Sequence, residues 1–175
     1  MLDLTVITIN LNNADGLCKT HASLKYFLDA GIQWVVIDGQ SNDGSIDYLA
    51  NIQNANSDFT FISEPDTGIY DAMNKGLTRA NRSTILILNS GDTLLQDNIE
   101  SYARIISQRG FHFLMSEFIY NDKLIRVKPA FYRYWSLPTS HQAIVYDRAI
   151  FDEGFTFDDQ LNFASDFKHF IYSYA

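Results

Sequence analysis

The feature that most constrains this chain is a set of short apolar runs rich in β-branched and aromatic residues, each closing on a polar turn. Leu4-Thr5-Val6-Ile7-Thr8-Ile9 runs into Asn10, Asn12 and Asn13, and Gln33-Trp34-Val35-Val36-Ile37-Asp38 into Gly39-Gln40-Ser41-Asn42-Asp43-Gly44. Phe59-Thr60-Phe61-Ile62-Ser63 runs into Glu64-Pro65-Asp66-Thr67-Gly68, and Thr84-Ile85-Leu86-Ile87-Leu88 into Asn89-Ser90-Gly91-Asp92. Such continuous apolar runs read as strands buried on both faces. Helical spacing fills the intervals. It links Leu17, Thr20, His21, Leu24, Phe27 and Leu28 across 15–30, with Gly31 as a stop. It continues through Ser45 to Gln53, with Ser45 as an N-cap, through Ile69, Ala72, Met73 and Leu77, and through Ile99, Ala103 and Ile106. Strand–helix alternation predicts an α/β fold with a mainly parallel central sheet flanked by helices.

After Gly110 the pattern is mixed. Phe111 to Tyr120 and Leu124 to Val127 read as strands around an Asn121-Asp122 turn, Gln142 to Tyr146 as a further strand, and Phe163 to Tyr174 as an aromatic-faced helix. A chain of 175 residues that is 46% hydrophobic suits one domain spanning 1–175, with a change of role near 110. The net charge of -8 argues against a diffuse nucleic-acid binder. The single cysteine, Cys18, excludes an internal disulfide framework and is expected to be a small packing residue. There is no basic leader at Met1-Leu2-Asp3, and every apolar run is far shorter than a membrane span, so the expected compartment is cytoplasmic.

In a parallel sheet the loops beyond the strands' carboxyl ends line one crevice. The four polar turns therefore share a rim, and Asp38, Asp43, Asp66 and Asp92 are expected to converge there. Several carboxylates in a crevice suit a hard divalent cation shared with substrate phosphates. Other chemistries lack their motifs. There is no Lys-Ser/Thr phosphate loop, no Gly-x-Gly-x-x-Gly fingerprint and no Gly-x-Ser-x-Gly elbow.

At this point the residues resemble a known family. Thr5-Val6-Ile7-Thr8, Val36 through Ser45, EPDTGIYDAMNKGL at 64–77, Leu88-Asn89-Ser90-Gly91-Asp92, Ser140-His141-Gln142-Ala143 and Ala164-Ser165-Asp166 are similar to family 2 glycosyltransferases of the A-type fold. These are inverting, nucleotide-sugar-dependent enzymes common in bacterial envelope polysaccharide synthesis. The 64–77 string is the most specific part. The resemblance makes 1–110 the nucleotide-sugar-binding half and 111–175 the acceptor-side half. It implies that Thr8 and Asn10, in and after the first strand, and Asp38 hold the base and ribose, with Asp66 on the same face. It puts Asn74 and Lys75 near the ribose and diphosphate, and His141 against the donor diphosphate or acceptor. The Asn89–Asp92 segment stands where the family carries its Asp-x-Asp metal motif, which makes Asp92 and Asn89 the ligands of Mn²⁺ or Mg²⁺. Gly91 departs from that pattern. Asp166 matches the late acidic residue that acts as general base.

The implied partners are a UDP- or GDP-sugar donor and a glycan or lipid-linked acceptor. The aromatic segment Phe131-Tyr132-Arg133-Tyr134-Trp135, with Lys123, Arg126 and Lys128 nearby, is read as packing, an acceptor platform, a homodimer surface or a peripheral contact at the inner face of the plasma membrane. His21 is read as structural, and His112 and His169 as core or solvent residues. Similar enzymes continue with helices over the acceptor side, whereas this chain stops at Ala175, nine residues past Asp166. The reading is thus an enzyme in shortened or natural short form. The alternatives are a nucleotide-sugar-binding module impaired in catalysis, or a nucleotidyltransferase. The latter is disfavoured because Asn10 to Asn13 is no glycine-rich basic loop.

Overall fold

A computed structural model describes residues 1–53, 58–95, 99–107, 111–129, 137, 139–161 and 165–174, with the backbone alone at 167 and 171–174. The chain runs β1 (Leu4–Asn10), α1 (Ala14–Asp29), β2 (Gln33–Asp38), α2 (Ser45–Gln53), β3 (Phe59–Ser63), α3 (Ile69–Leu77), β4 (Thr84–Ile87) and α4 (Ile99–Ile106). It continues with β5 (Phe113–Met115), β6 (Phe118–Tyr120), β7 (Lys123–Ile125), a 3₁₀ turn at His141–Ala143, β8 (Ile144–Asp147), α5 (Ala149–Asp152) and α6 (Ser165–Tyr174). One six-stranded sheet has the order β3-β2-β1-β4-β8-β5. The first four strands pair in parallel, and β8 inserts antiparallel to both β4 and β5. The β6–β7 hairpin stands apart as a two-stranded ribbon.

Alternating side chains of the buried strands feed two cores. Val6, Trp34, Val36, Leu86 and Val145 pack with Leu17, Leu24 and Phe27 of α1. On the opposite face Ile7, Val35, Ile37, Ile85 and Tyr146 pack with Met73 and Leu77 of α3 and with Phe151 and Phe157. This two-sided burial is why the strands read as unbroken apolar runs. Helix α3 packs tightly on the sheet at Gly76. A Cβ built on Gly76 would stand 2.4 Å from Ile7 Cγ2.

The strand ends are level, because register pairs Asn10 with Asp38 and Asp38 with Ser63. Asp38 ties that rim together. Its Oδ1 accepts from Asn10 Nδ2 at 2.7 Å and the Ser41 hydroxyl at 2.5 Å; its Oδ2 accepts from Ser41 N at 2.9 Å and the Ser63 hydroxyl at 2.7 Å. Burial pushes this carboxyl up, but the combined hydrogen bonds from Ser41, Asn10 and Ser63 hold it below its usual range.

Several local expectations are corrected. Ser45 is not the cap of α2. It is the first helical residue, and the Asp43 carboxylate accepts its N–H at 3.1 Å and its hydroxyl at 2.6 Å. Phe111 to Tyr120 is broken at Ser116-Glu117 into β5 and β6. Gln142 lies in the 3₁₀ turn that precedes β8. Cys18 is exposed on α1, whose buried face is made by Leu17, Thr20, Leu24 and their neighbours. The Asn121-Asp122 turn is present, both residues having positive φ (48° and 59°), which suits a tight hairpin. The aromatic segment 131–135 and Phe163 lie outside the described residues.

Two measurements check this packing. Gly76→Ala should overpack the α3–β1 contact and lower stability by about 1–3 kcal/mol in urea unfolding. Asp38→Asn should cost about 1–3 kcal/mol at pH 7, since it replaces one of the two acceptor oxygens by an NH2 that faces buried donors. A carboxyl held low stabilises the fold above its unfolded pKa, and that contribution is lost as pH falls through the folded value. The Asp38→Asn deficit should therefore shrink once the pH drops below the model-peptide value of 3.8. An undiminished deficit at pH 3 would contradict the assignment.

Candidate active site

Beyond β4 the chain turns through Asn89-Ser90-Gly91-Asp92, and α1 holds this loop in place. The Thr20 hydroxyl donates to Asp92 O at 2.8 Å and accepts from Gly91 N at 2.9 Å, while Asn13 Nδ2 donates to Ser90 O at 3.0 Å. Gly91 has φ +100°, a conformation that L side chains rarely adopt. That explains the departure seen in the sequence: a carboxylate-bearing residue would be strained at this position.

Beside this loop, His141 and Asp166 face each other, with Nδ1 3.3 Å from Oδ2. His141 Nε2 lies 3.5 Å from Asn89 Nδ2. The contacts orient the ring so that Nδ1 points to Asp166 and Nε2 to the Asn89 carboxamide. The Tyr70 hydroxyl donates to the other oxygen of Asp166 at 3.3 Å. Asn89, His141, Asp166 and Tyr70 thus form one chain of contacts drawn from β4's loop, the 3₁₀ turn, α6 and α3. Asp92 borders it. Burial pushes the Asp92 carboxyl above its usual range, against the pull of the Gln142 side chain and of His141.

Two buried carboxamide oxygens on this rim, Asn10 Oδ1 and Asn89 Oδ1, have no hydrogen-bond partner among the described residues. Unmet buried acceptors are uncommon and costly. Asn89 Oδ1 and the Asp92 carboxylate are therefore a fitting oxygen pair for a hard divalent cation, which takes one or two protein oxygens and completes its shell with phosphates and water. Among the described residues no group of three His, Cys, Asp or Glu side chains could hold a metal. The expected convergence of Asp38, Asp43, Asp66 and Asp92 is corrected accordingly. Asp38 is committed to the rim network, and Asp43 caps α2 and accepts from Ala14 N at 2.7 Å. Asp66 accepts from Gly68 N at 3.1 Å and lies against the backbone of Gly39.

The remaining site candidates are placed as follows. Thr8 is fully buried and accepts the indole N–H of Trp34 at 3.0 Å, so it is a core anchor and not a ligand-facing group. Asn10 donates to Asp38 and Ser41 and keeps its carbonyl oxygen unmet. Asn74 is engaged elsewhere. Its amide donates to Phe157 O at 2.8 Å and its carbonyl accepts from Phe157 N at 3.0 Å. Lys75 Nζ sits 3.2 Å from Glu64 and 3.1 Å from Asp71, so two carboxylates already balance it. His21 stacks on Trp34 and bonds the Tyr48 hydroxyl at 2.7 Å, a structural role as expected. His169 is buried against the rings of Phe151, Phe157 and Tyr146, and burial pushes its pKa down to about 4. Sequence spacing gave no signal for Tyr70, because its partner Asp166 is 96 positions away.

Comparison with known proteins bears on the family and the fold. The family model for Glycosyl transferase family 2 matches residues 5–158. An uncharacterized glycosyltransferase of Mycobacterium tuberculosis is 40% identical over 91 residues, covering 51% of this chain and 34% of the relative. A PGL/p-HBAD biosynthesis glycosyltransferase of Mycobacterium bovis is 32% identical over 129 residues, covering 67% of this chain and 48% of the relative. The chain thus spans half or less of the length of these curated relatives. Among solved structures, S. aureus TarS 1-349 in complex with UDP-GlcNAc superposes with a TM-score of 0.82 at 18% identity, covering 99% of this chain and 53% of the other. A mannosyltransferase from Pyrobaculum calidifontis, in complex with GDP-Man and Mn²⁺, gives 0.68 at 16% identity, covering 95% and 50%. The α/β sheet is that of the A-type glycosyltransferases, and the chain belongs to glycosyl transferase family 2.

Proposed function

We propose that this chain is the catalytic domain of an inverting glycosyltransferase. It moves a sugar from a nucleoside-diphosphate donor to a hydroxyl of a glycan or lipid-linked acceptor. In this reading residues 1–110 bind the donor and 111–175 form the acceptor side. The observation that carries it is the unmet buried Asn89 Oδ1, on the loop that bears Asp92 and in contact with the His141–Asp166 pair. That arrangement offers oxygens for a cation and its diphosphate and, next to them, a carboxylate.

Asn89 and Asp92 would hold Mn²⁺ or Mg²⁺; when bound, the ion supplies Lewis-acid stabilisation of the departing diphosphate. Asp166 takes the proton of the acceptor hydroxyl as that oxygen bonds to the anomeric carbon. The bond from that carbon to the diphosphate oxygen breaks, and its electron pair leaves with the nucleoside diphosphate. Attack opposite the leaving group inverts the configuration. His141 holds one oxygen of Asp166, which keeps the carboxylate aimed. Asn10 Oδ1, at the end of β1, is an acceptor for a base or ribose donor, and Asp66 flanks the same loop. Asp38 contributes by shaping that loop.

A cavity of about 660 Å³ opens beside Asp92 and Gln142, walled by Leu94, Tyr102, Ile106 and Leu114. Its apolar walls suit the non-sugar part of an acceptor. The β6–β7 hairpin exposes Ile119, Tyr120 and Leu124 beside Lys123, Arg126 and Lys128, which supports peripheral contact with an anionic membrane. Among the described residues no helix is long and apolar enough to cross one. Co-sedimentation with phosphatidylglycerol vesicles should fall in Leu124→Ser; unchanged or absent binding would remove the membrane reading.

Calorimetric titration with UDP and GDP, each with and without Mn²⁺, tests the donor site. One nucleotide should bind, more tightly with the metal, and Asp92→Ala should remove the metal effect. Metal-independent binding that Asp92→Ala leaves unaltered would count against the site. Tight binding with no transfer or donor hydrolysis would favour the impaired binding module.

A further inference from the structure

Asp166 is far in sequence from the strands that build the rim, so something must register it against them. Helix α3 supplies that contact through two side chains one turn apart. Asn74 grips the backbone of Phe157 through both its amide and its carbonyl. Tyr70 is buried and stacks on the Phe157 ring, with centroids 6.1 Å apart at an interplanar angle of 23°. The Tyr70 hydroxyl then meets the start of α6. It donates to Asp166 Oδ1 at 3.3 Å, in the first turn of the helix.

We infer that Tyr70 is a positioning residue for Asp166, fixing through its hydroxyl the direction of the carboxylate in the first turn of α6. The catalytic meaning rests on the reading of Asp166 as general base; the structural linkage does not. With Tyr70 on one oxygen and His141 Nδ1 on the other, the carboxylate is gripped from two sides. Burial, and then the Asp166 charge, push the Tyr70 phenol up, so it stays protonated and remains a donor. Among the described residues, Tyr146 on β8 and His169 on α6 itself also feel the Asp166 charge. The same reading gives Asn74 a new role. It fastens the segment that leads into α6.

The test is carboxyl-carbon NMR of the full chain labelled at aspartate, with the Asp166 resonance identified by its loss in Asp166→Asn. Tyr70→Phe keeps the stacked ring and deletes only the hydroxyl. A hydrogen bond donated to a carboxylate favours its ionised form, so the Asp166 midpoint should rise by roughly 0.5–1 pH unit in Tyr70→Phe. An unmoved midpoint would overturn the inference. Hydroxyl-proton exchange of the unmutated chain gives a second reading that needs no variant to fold. The Tyr70 hydroxyl proton should be protected, whereas free exchange would contradict the contact. Transfer by Asp166→Asn is judged separately. Full activity there would remove the general-base reading while leaving the Tyr70–Asp166 linkage standing.

Discussion

Everything on the crevice side of this protein depends on a buried carboxylate. Asp38 ends β2 at the level where β1 and β3 also end, and its two oxygens bind donors from both neighbours and from its own loop. A buried charge is tolerable only when it is hydrogen-bonded this fully. The reward is a rim whose loops leave the sheet in fixed directions. Asn10 is held with its carbonyl oxygen unspent, and the loop after β2 is brought under Asp66. The resemblance assigned Asp38 to the ligand; the structure gives it the prior task of making a ligand site possible.

The second half of the site is assembled by docking. Helix α3 packs so close to β1 that position 76 has no room for a side chain beyond hydrogen. Its outer residues Tyr70 and Asn74 then hold Phe157 and the first turn of α6. Asp166 is in this way referred back to the sheet through one helix. The string at 64–77 is the most specific part of the family resemblance, and this double duty is a physical reason for it. It fits the sheet on one face and sets the position of a distant carboxylate on the other.

The sheet and its helices were legible because burial writes a period into sequence. The four parallel strands, α1, α3 and α4 follow from apolar spacing alone, and the turn residues mark the rim. Commitments of individual side chains were not legible. Nothing local distinguishes Asn74, which clamps Phe157, from an asparagine that meets a nucleotide, or Lys75, which two carboxylates balance, from one that meets a phosphate. The antiparallel insertion of β8 between β4 and β5 was also hidden, since it joins segments about 60 residues apart in pairing that only the fold can show. Gly91 looked like a defect in a metal motif until its backbone conformation accounted for it.

The central claim is that a nucleoside diphosphate and its cation sit on the Asn89–Asp92 loop, beside the His141–Asp166 pair that Asn89 touches. A crystal structure of the chain soaked with its nucleoside diphosphate and Mn²⁺, with anomalous data collected at the manganese edge, tests this most directly. The account predicts one strong anomalous peak bonded to Asp92 and to the diphosphate, with Asn89 Oδ1 turned to it and Asp166 beside them. A nucleotide lodged instead in the apolar cavity beside α4, or a metal peak away from Asp92, would contradict it.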